Sequence, residues 1–365
     1  MNEFAIYEPR LEPHVTGASL RLDPACVEWA NGLLIRSTNW LGDALMTLPA
    51  AYKLARLVTE PCGVFVLSPP GLVPMWEAAD WVSHVIPLDG KRAGEAVSKR
   101  IWLLRPGVAA VFPNSFGAAA DVWRKGIHLR LGRRGRWRGG MLTHRLPAWP
   151  RGHGDGKWHQ LSYYLEFPAV FGDDSLDIAC PPLRVPAAAE RAAALGLEPG
   201  VSWLVMAPGA AYGPAKQWPA RHFAEVAAWW TAERGRVAIV GTDRERAAGE
   251  VITERVPGSL NLAGKSGMAD LMAVLASAAA VLANDSGAMH LAAALGRPGV
   301  AVFGSTDPVA TGPIGGKWIL LRNPPGCAPC FQRTCPRKNH PYECLECIPP
   351  QLAIQALQQL LHDTP

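Results

Sequence analysis

The alternation of short apolar runs with helix-length segments is the feature of this chain that most constrains its fold. The runs are "GLLIRS", "GVFVLS" and "AAVFPNS" in the first half, and "WLVMAPG", "RVAIVGT", "AVLAND" and "GVAVFGS" in the second. Strands that are apolar on both faces are typical of parallel sheets covered by helices on both sides. The sequence therefore predicts an α/β protein with doubly wound, Rossmann-like sheets.

The runs fall into two series, which predicts two domains in this chain of 365 residues. The alternation stops between about Arg145 and Pro186, where Pro, Gly and Asp accumulate, and it resumes at Trp203. We place the interdomain connection near Pro181–Pro186. The expected parts are an N-terminal extension (1–30), a first Rossmann-like domain (31–185), a second one (186–348) with a Cys-rich loop (323–348), and a closing helix (349–365).

Composition and charge narrow the class of protein. Hydrophobic residues make up 49% of the chain, and no apolar run is long enough to span a bilayer. The N-terminal "MNEFAIYEPRLEP" lacks the basic start and apolar core of a secretion signal, so we expect a cytoplasmic protein. The net charge of +5 is uneven, because Arg124–Arg138 holds seven Lys and Arg, no acid, and Trp137. This stretch is either a solvated basic loop or a surface for an acidic partner.

The first strand-to-helix turn lies in "LLIRSTNWLGDALMTLPA". A strand is expected to end near Ser37, and Asp43 then stands where the next helix begins. One interpretation of Asp43 is a helix N-cap. The other is a general base on a rigid helix start, where Gly42 permits close approach of a ligand. The two roles are compatible.

The second turn is "WLVMAPGAAYGPAKQWPARHF". Gly209 and Gly213 allow the backbone to approach a ligand, and Pro219 suits the start of a helix. Lys216 precedes that helix, where its point charge suits a phosphate group. The alternative for Lys216 is an ordinary surface lysine.

The third turn is "NDSGAMHLAAALGRP". The backbone N–H groups of Ser286 and Gly287 can bind an anion at the start of the helix. Asp285 would repel a phosphate, so we expect it to accept hydrogen bonds from sugar hydroxyls. His290 is one turn inside the helix, either as a core residue or as a ligand contact. We favour the ligand contact because of its polar neighbours.

Two common nucleotide-binding motifs are missing from the sequence. No GxGxxG follows the first strand, which argues against a nicotinamide-dependent dehydrogenase. The stretch "GSLNLAGKS" imitates a P-loop, but the spacing of its glycines is wrong for an NTPase.

Four stretches together carry a family resemblance: "STNWLGDALMTLPA", "PNSF", "PGAAYGPAKQWP" and "NDSGAMHLAAALGRPGVAVFGSTDP". They resemble the ADP-heptose:lipopolysaccharide heptosyltransferases of glycosyltransferase family 9, over a span from about Gly32 to the C-terminal helix. The resemblance implies a GT-B fold, with two Rossmann-like domains facing across a cleft. It also implies an inverting transfer of L-glycero-D-manno-heptose from ADP-heptose to the inner core of lipopolysaccharide, with heptosyl-Kdo2-lipid A as the expected acceptor.

The resemblance also assigns roles to residues. It implies that Asp43 is the base and that Lys216 binds the donor diphosphate. Further donor-binding residues would be Gly209, Asp285, Ser286, Gly287, His290, and either Asp243 or Glu245 at the ribose. The expected acceptor-binding residues are Asn114, Ser115, Arg133, Arg134 and Arg136. No cofactor is expected for catalysis and no nucleic acid as a partner. We expect a monomer that works as a peripheral protein at the cytoplasmic face of the inner membrane.

The cysteines form the last candidate site. Five of the eight lie between Cys327 and Cys347, as two CxxC pairs that flank thirteen residues, including Cys335 and His340. Such spacing is typical of zinc sites, and the favoured ligands are Cys327, Cys330, Cys344 and Cys347. The metal would be structural. Reduced thiols or an adventitious disulfide are the alternatives.

Two other functions stay open from the sequence. Another nucleotide-sugar enzyme of GT-B fold, such as a different glycosyltransferase or an epimerase, would share the architecture. A non-catalytic sugar- or metal-binding regulator would bind a ligand without releasing ADP.

Overall fold

The computed structural model describes residues 5–11, 20–59, 62–135, 137–148 and 158–362. They form two compact units. The N-terminal unit is Arg10–Pro181, and the C-terminal unit combines Pro182–Pro365 with Met1–Pro9. The chain thus passes from one unit to the other at Pro181 and Pro182, within the Pro-rich stretch that marks the end of the first strand series. None of the described helices has the length and apolar character needed to cross a membrane.

The N-terminal unit contains a parallel sheet of six strands in the order β3-β2-β1-β4-β5-β6. The strands are β1 (Leu33–Arg36), β2 (Val64–Ser68), β3 (His84–Pro87), β4 (Val108–Val111), β5 (Leu129–Arg133) and β6 (His144–Leu146). The helices are α1 (Leu41–Met46), α2 (Leu48–Ala55), α3 (Val73–Glu77), α4 (Glu95–Leu104), α5 (Phe116–Val122) and α6 (Leu161–Ala169).

The C-terminal unit contains a second parallel sheet of six strands, in the order β12-β11-β10-β7-β8-β9. Its strands are β7 (Trp203–Ala207), β8 (Arg236–Ile239), β9 (Leu260–Asn261), β10 (Ala280–Asn284), β11 (Gly299–Phe303) and β12 (Trp318–Arg322). Its helices are α7 (Ala188–Ala194), α8 (Ala220–Glu233), α9 (Arg246–Arg255), α10 (Met268–Ala276), α11 (Gly287–Ala294), α12 (Pro308–Thr311), α13 (Glu343–Glu346) and α14 (Pro350–His362).

Short 3-10 helices occur in both units, at Pro24–Cys26, Trp29–Asn31, Pro70–Leu72, Gly139–Met141, Pro214–Lys216 and Asp243–Glu245.

Each sheet has its own apolar core. The central strands β1, β2, β4, β7, β10 and β11 are buried along their whole length, which explains why they read as continuous apolar runs. The α/β fold expected from those runs is therefore confirmed. The closing helix α14 packs on α8, β11 and β12, and its residues Ala353, Ala356 and Leu357 are fully buried.

Five strands are missing from the apolar runs of the sequence. Four of them, β3, β6, β9 and β12, are the edge strands of their sheets. The fifth, β5, lies inside the basic stretch Arg124–Arg138. Edge strands are covered less completely than central ones, so their sequences are less apolar and harder to identify.

The N-terminal segment joins the C-terminal unit. Ile6 forms an antiparallel bridge with Ile319 of β12, and the Tyr7 N–H donates to the Trp318 carbonyl at 2.7 Å. The Tyr7 hydroxyl donates to the Pro308 carbonyl at 2.9 Å. Burial, and then the charge of Asp307, raise the pKa of Tyr7. Part of the expected extension therefore packs beside the edge strand β12.

Candidate functional site

The two sheets place their polar loops at equivalent points. Counted within each unit, the strand order of both is 3-2-1-4-5-6, so the chain reverses direction across the sheet between the first and fourth strands. In open sheets of this kind, ligands bind outside the carboxyl ends of the strands at that reversal. The loops after β1 and β4 occupy this point in the N-terminal unit, and those after β7 and β10 occupy it in the C-terminal unit.

Lys216 and Asp285 meet at the reversal of the C-terminal sheet. The Lys216 ammonium donates to Asp285 Oδ2 at 2.5 Å, and the two side chains are 12% and 4% exposed. The Thr306 hydroxyl donates to the same oxygen, also at 2.5 Å. Lys216 is therefore not an ordinary surface lysine. Asp285, which we expected to face sugar hydroxyls, is here the partner that orients Lys216.

The start of α11 lies directly beside this pair. Ser286 is the N-cap residue and Gly287 is the first residue of the helix. The Ser286 hydroxyl is buried, makes no cap hydrogen bond, and has no hydrogen-bond partner among the described residues. A buried hydroxyl without a partner is costly, and helix N–H groups attract anions. His290 is on the same helix and is only 6% exposed.

Gly209 and Glu245 are in contact at the same edge of the sheet. A Cβ at Gly209 would lie 1.9 Å from Glu245 Oε1, so a larger residue here would displace the Glu245 side chain. The Glu245 carboxylate accepts the Thr242 N–H at 2.6 Å, whereas Asp243 is paired with Arg246 at 2.7 Å. Of the two candidates for the ribose contact, Glu245 is the one that lies against the Gly209 loop.

The loop after β11 supplies residues that were missed in the sequence. Thr306 holds Asp285, and the Ser305 hydroxyl is buried without a hydrogen-bond partner among the described residues. The signals for them were their position in "FGSTDP", directly after a strand, and the place of these letters at the end of a stretch that carries the family resemblance. Asn284 was also missed. Its Oδ1 accepts the Trp218 N–H at 3.0 Å and its Nδ2 donates to the Pro208 carbonyl at 2.6 Å, so it ties the end of β10 to the Lys216 loop.

Asp43 lies at the reversal of the N-terminal sheet, in the first turn of α1. The N-cap residue of this helix is Trp40, so the cap interpretation of Asp43 is wrong by three positions. The side chain of Tyr164 on α6 is close by. Burial, and then the negative charge of Asp43, raise the pKa of Tyr164. Asp43 is therefore a half-buried acid beside a buried phenol at a helix start.

Asn114 and Ser115 follow β4 at the same edge. Asn114 Oδ1 is buried and has no hydrogen-bond partner among the described residues. Ser115 is the N-cap of α5, and its hydroxyl oxygen accepts the Ala118 N–H at 3.2 Å. The Arg138 side chain, which is fully buried, donates to the carbonyls of Pro113 and Ser115 and fixes this loop.

The basic stretch Arg124–Arg138 is not one solvated surface. Arg133 is buried at the end of β5 and forms an ion pair with Glu166 at 2.7 Å, because a strand runs through this part of the sequence. The idea that Arg133 presents its charge to an acceptor is thereby corrected. Arg134 is exposed, and Arg136 lies outside the described residues.

Exposed aromatic side chains also occur at this edge. Trp40, Phe116 and Trp137 are 73%, 44% and 97% exposed, and they follow β1, β4 and β5 respectively. These strands are neighbours in the sheet, so their carboxyl ends lie side by side. Exposed aromatic side chains that share one edge of a sheet are candidates for a contact surface.

The cysteines are arranged differently from the predicted set. One pocket is lined by Cys327, Cys330, Cys335 and Cys344, while Cys347 is exposed and does not line it. Burial, and then the nearby thiols of Cys330, Cys335 and Cys327, raise the pKa of Cys344 to about 11. Within the described ranges no cluster of three or more His, Cys, Asp or Glu side chains is arranged to hold a metal ion.

The fold and these loops define the class of protein. Two parallel sheets of Rossmann strand order in one chain, each with polar loops at its reversal, are typical of GT-B glycosyltransferases. The model of glycosyltransferase family 9 (heptosyltransferase) matches residues 157–340. The chain belongs to this family and is a glycosyltransferase.

Individual relatives agree with this assignment. The chain is 30% identical over 345 residues to lipooligosaccharide heptosyltransferase 2 of Campylobacter jejuni, covering 91% of this chain and 99% of the relative. It is 28% identical to lipooligosaccharide heptosyltransferase 2 of Haemophilus influenzae, covering 90% and 99%. The structure of Escherichia coli ADP-heptose LPS heptosyltransferase II matches with a TM-score of 0.76 and 26% identity, covering 90% of this chain and 98% of that one.

Proposed function

We propose that this glycosyltransferase moves L-glycero-D-manno-heptose from ADP-heptose to heptosyl-Kdo2-lipid A, as the second heptose of the lipopolysaccharide inner core. The names of the similar proteins supply the donor and the class of acceptor. The single observation that carries the proposal is the Lys216–Asp285–Thr306 arrangement beside the start of α11. It offers an ammonium held by its ion pair with Asp285, together with a helix start and a buried hydroxyl at one point, and these groups suit a sugar diphosphate.

The transfer is a single displacement at the anomeric carbon. The acceptor oxygen forms a bond to that carbon, and the bond from the carbon to the diphosphate oxygen breaks. The electron pair of the broken bond leaves with ADP, and the proton of the acceptor hydroxyl goes to Asp43. The configuration is inverted because the nucleophile enters opposite the leaving group.

On the donor side, Lys216 would stabilise the charge that develops on the departing diphosphate. Its ion pair with Asp285 fixes the ammonium before the donor arrives, which lowers the cost of orienting it. The N–H groups at Gly287 and the Ser286 hydroxyl would bind phosphate oxygens. Glu245, beside Gly209, would accept hydrogen bonds from the ribose hydroxyls. His290, on α11, would contact the donor.

On the acceptor side, Asp43 would act as the base. The buried amide oxygen of Asn114 would accept a hydrogen bond from a hydroxyl of the acceptor sugar. Arg134 would contact the anionic groups of the inner core, with Arg136 as a further candidate. Ser115 and Arg133 would hold the loop and strand in place instead of contacting the acceptor, because their polar atoms are used within the unit.

We also propose that the N-terminal unit meets the membrane surface where the acceptor is anchored. Exposed Trp40 and Trp137 combine an apolar ring with an indole N–H, and Phe116 adds a further exposed ring. Arg134 adds positive charge at the same edge. Aromatic and cationic side chains favour the interface of anionic membranes. The protein would then be a cytoplasmic monomer, bound peripherally to the inner membrane.

The transfer itself requires no cofactor in this proposal. A metal ion bound by cysteines of the Cys-rich segment, residues 323–348, would be structural and would take no part in the displacement.

Turnover with defined substrates tests the proposal. Purified protein is incubated with ADP-heptose and either heptosyl-Kdo2-lipid A or Kdo2-lipid A, and ADP release and the mass of the lipid product are measured. We expect heptose addition to heptosyl-Kdo2-lipid A alone. Transfer from another nucleotide sugar, or epimerisation without acceptor, would assign a different GT-B activity. Donor binding without ADP release would assign a regulator.

A further inference from the structure

The Cys-rich segment contains a pocket that the proposed transfer does not use. Four thiols line it, those of Cys327, Cys330, Cys335 and Cys344. Ser305 lines the same pocket, is 1% exposed, and its hydroxyl has no hydrogen-bond partner among the described residues. A buried hydroxyl in such a place needs an acceptor, and a thiolate sulfur is one that this pocket can supply.

The segment has little else to hold it folded. No helix or strand is assigned between the end of β12 at Arg322 and the start of α13 at Glu343, and most of the side chains between them are exposed. Its described apolar core consists of Leu345 and Ile348. Chains of this kind are commonly stabilised by a metal ion, because the binding free energy becomes folding free energy. Four thiolates suit zinc or iron.

Charge at the pocket suits a thiolate complex. Arg337 lines the pocket and interacts favourably with Cys327, and it also forms an ion pair with Glu343. A divalent ion with four thiolates carries a net negative charge, which a neighbouring guanidinium offsets.

The residues between Cys330 and Cys335 bind the loop that carries Lys216. The Tyr212 hydroxyl donates to the Phe331 carbonyl at 2.5 Å, and the Ala215 N–H donates to the Arg333 carbonyl at 3.0 Å. The Phe331 N–H donates to the Ser305 carbonyl at 2.8 Å.

The Tyr212 ring connects the two loops a second time. The Lys216 ammonium lies 4.9 Å from its centre and the Arg333 guanidinium 5.3 Å. Any displacement of residues 331–333 would therefore also move the surroundings of Lys216.

We propose that Cys327, Cys330, Cys335 and Cys344 bind one zinc or iron ion, and that this ion holds residues 331–333 against the Lys216 loop. Cys335 replaces Cys347 in the ligand set expected from the sequence. The thiols are not gathered around one point in the structure, so binding includes a local closing of the segment. The metal part of the inference is independent of the proposed function, whereas the effect on the donor rests on it.

A matched pair of variants, Cys335→Ser and Cys347→Ser in the full chain, tests the ligand set. Zinc and iron are measured by mass spectrometry on protein purified without a histidine tag, and free thiols are titrated. We expect about one equivalent of metal in the wild type and in Cys347→Ser, and less than about a tenth of an equivalent in Cys335→Ser. The melting temperature should fall in Cys335→Ser only.

Donor kinetics test the second part. In Cys335→Ser the KM for ADP-heptose should rise on the order of tenfold, because the Lys216 loop loses its support, while the acceptor KM stays unchanged. If Cys335→Ser does not fold, the metal is released from the wild type with a mercurial in the presence of a chelator, the mercurial is then removed with excess thiol, and zinc or ferrous iron is added after both have been exchanged away. Re-addition should restore both the melting temperature and the donor KM.

Several results would overturn the inference. Wild-type protein without metal and with all five thiols of the segment titratable would remove the site. Missing thiols without metal would indicate disulfides. Loss of metal in Cys347→Ser but not in Cys335→Ser would restore the original ligand set. Loss of metal with an unchanged donor KM in an active enzyme would show that the metal does not hold the Lys216 loop. An absence of heptosyl transfer with metal still bound would count against the proposed function alone.

Discussion

Two serines occupy equivalent positions in the two sheets and differ in what their hydroxyl groups do. Ser115 and Ser286 each follow the fourth strand of their unit and each is the N-cap of the next helix. The Ser115 oxygen accepts a backbone N–H of α5, whereas the buried Ser286 hydroxyl makes no cap bond. The Ser115 hydroxyl is thus used to cap its own helix, whereas the Ser286 hydroxyl is left for another partner.

The neighbouring loops show the same contrast. After the first strand, the N-terminal unit places an acid, Asp43, and the C-terminal unit places a cation, Lys216, already paired with Asp285. The same strand order thus places a polar site at the same point of each sheet. The loop residues decide whether that site carries a base or binds an anion. The difference supports a division of labour between the acceptor side and the donor side.

The largest effect is expected at Asp43. Asp43→Asn keeps the size of the side chain but removes the proton acceptor, so kcat should fall about 10²- to 10⁴-fold, the usual contribution of a general base. Glu95→Gln is the control, because Glu95 is also an acid in the first turn of a helix of this unit and is exposed. Steady-state kinetics and circular dichroism are compared for both. Near-normal turnover by folded Asp43→Asn would show that Asp43 is not the base, and the proposed difference between the two units would then fail.

Arg133 and Arg134 are adjacent in the sequence but differ in their expected roles: Arg133 stabilises the N-terminal unit, and Arg134 contacts the acceptor. Arg133→Gln leaves Glu166 as a buried charge without its partner, so unfolding in urea should show a loss of about 3–5 kcal/mol. Arg134→Gln should leave stability unchanged and raise the acceptor KM, with a weaker dependence on salt. Equal stability of the two variants would contradict the buried role of Arg133.

Lys216→Ala tests the donor side. Loss of the positive charge at the leaving diphosphate should lower kcat/KM for the donor on the order of 10²-fold. Lys317→Ala is the control, because Lys317 is exposed and lies at the amino end of β12, whereas Lys216 follows the carboxyl end of β7. Calorimetric titration with ADP measures the binding part. Unchanged ADP affinity and turnover in Lys216→Ala would show that the ion pair with Asp285 is purely structural.

The two serines give the smallest and sharpest comparison. Ser115→Ala should cost about 1 kcal/mol of stability through the lost cap, with little change in donor KM. Ser286→Ala should leave the stability of the ligand-free protein unchanged or slightly higher, because a buried hydroxyl without a partner is removed, and it should weaken donor binding about fivefold, the equivalent of one hydrogen bond. Thermal unfolding and donor titrations on both variants are sufficient. If the two variants behave alike, the free hydroxyl of Ser286 is not a ligand.

The sequence by itself determined the α/β class, the two strand series and the three polar turns, because central strands and helix starts follow local rules of hydrophobicity and capping. It also carried the family. Tertiary structure decided which polar groups meet: Asp285 with Lys216 across 69 positions, Arg133 with Glu166, and Cys335 in place of Cys347 beside the other thiols. Such pairings depend on strand order and on the edge strands, which no local pattern specifies. The charge of a side chain can be read from sequence, but its partner is fixed only when the chain is folded.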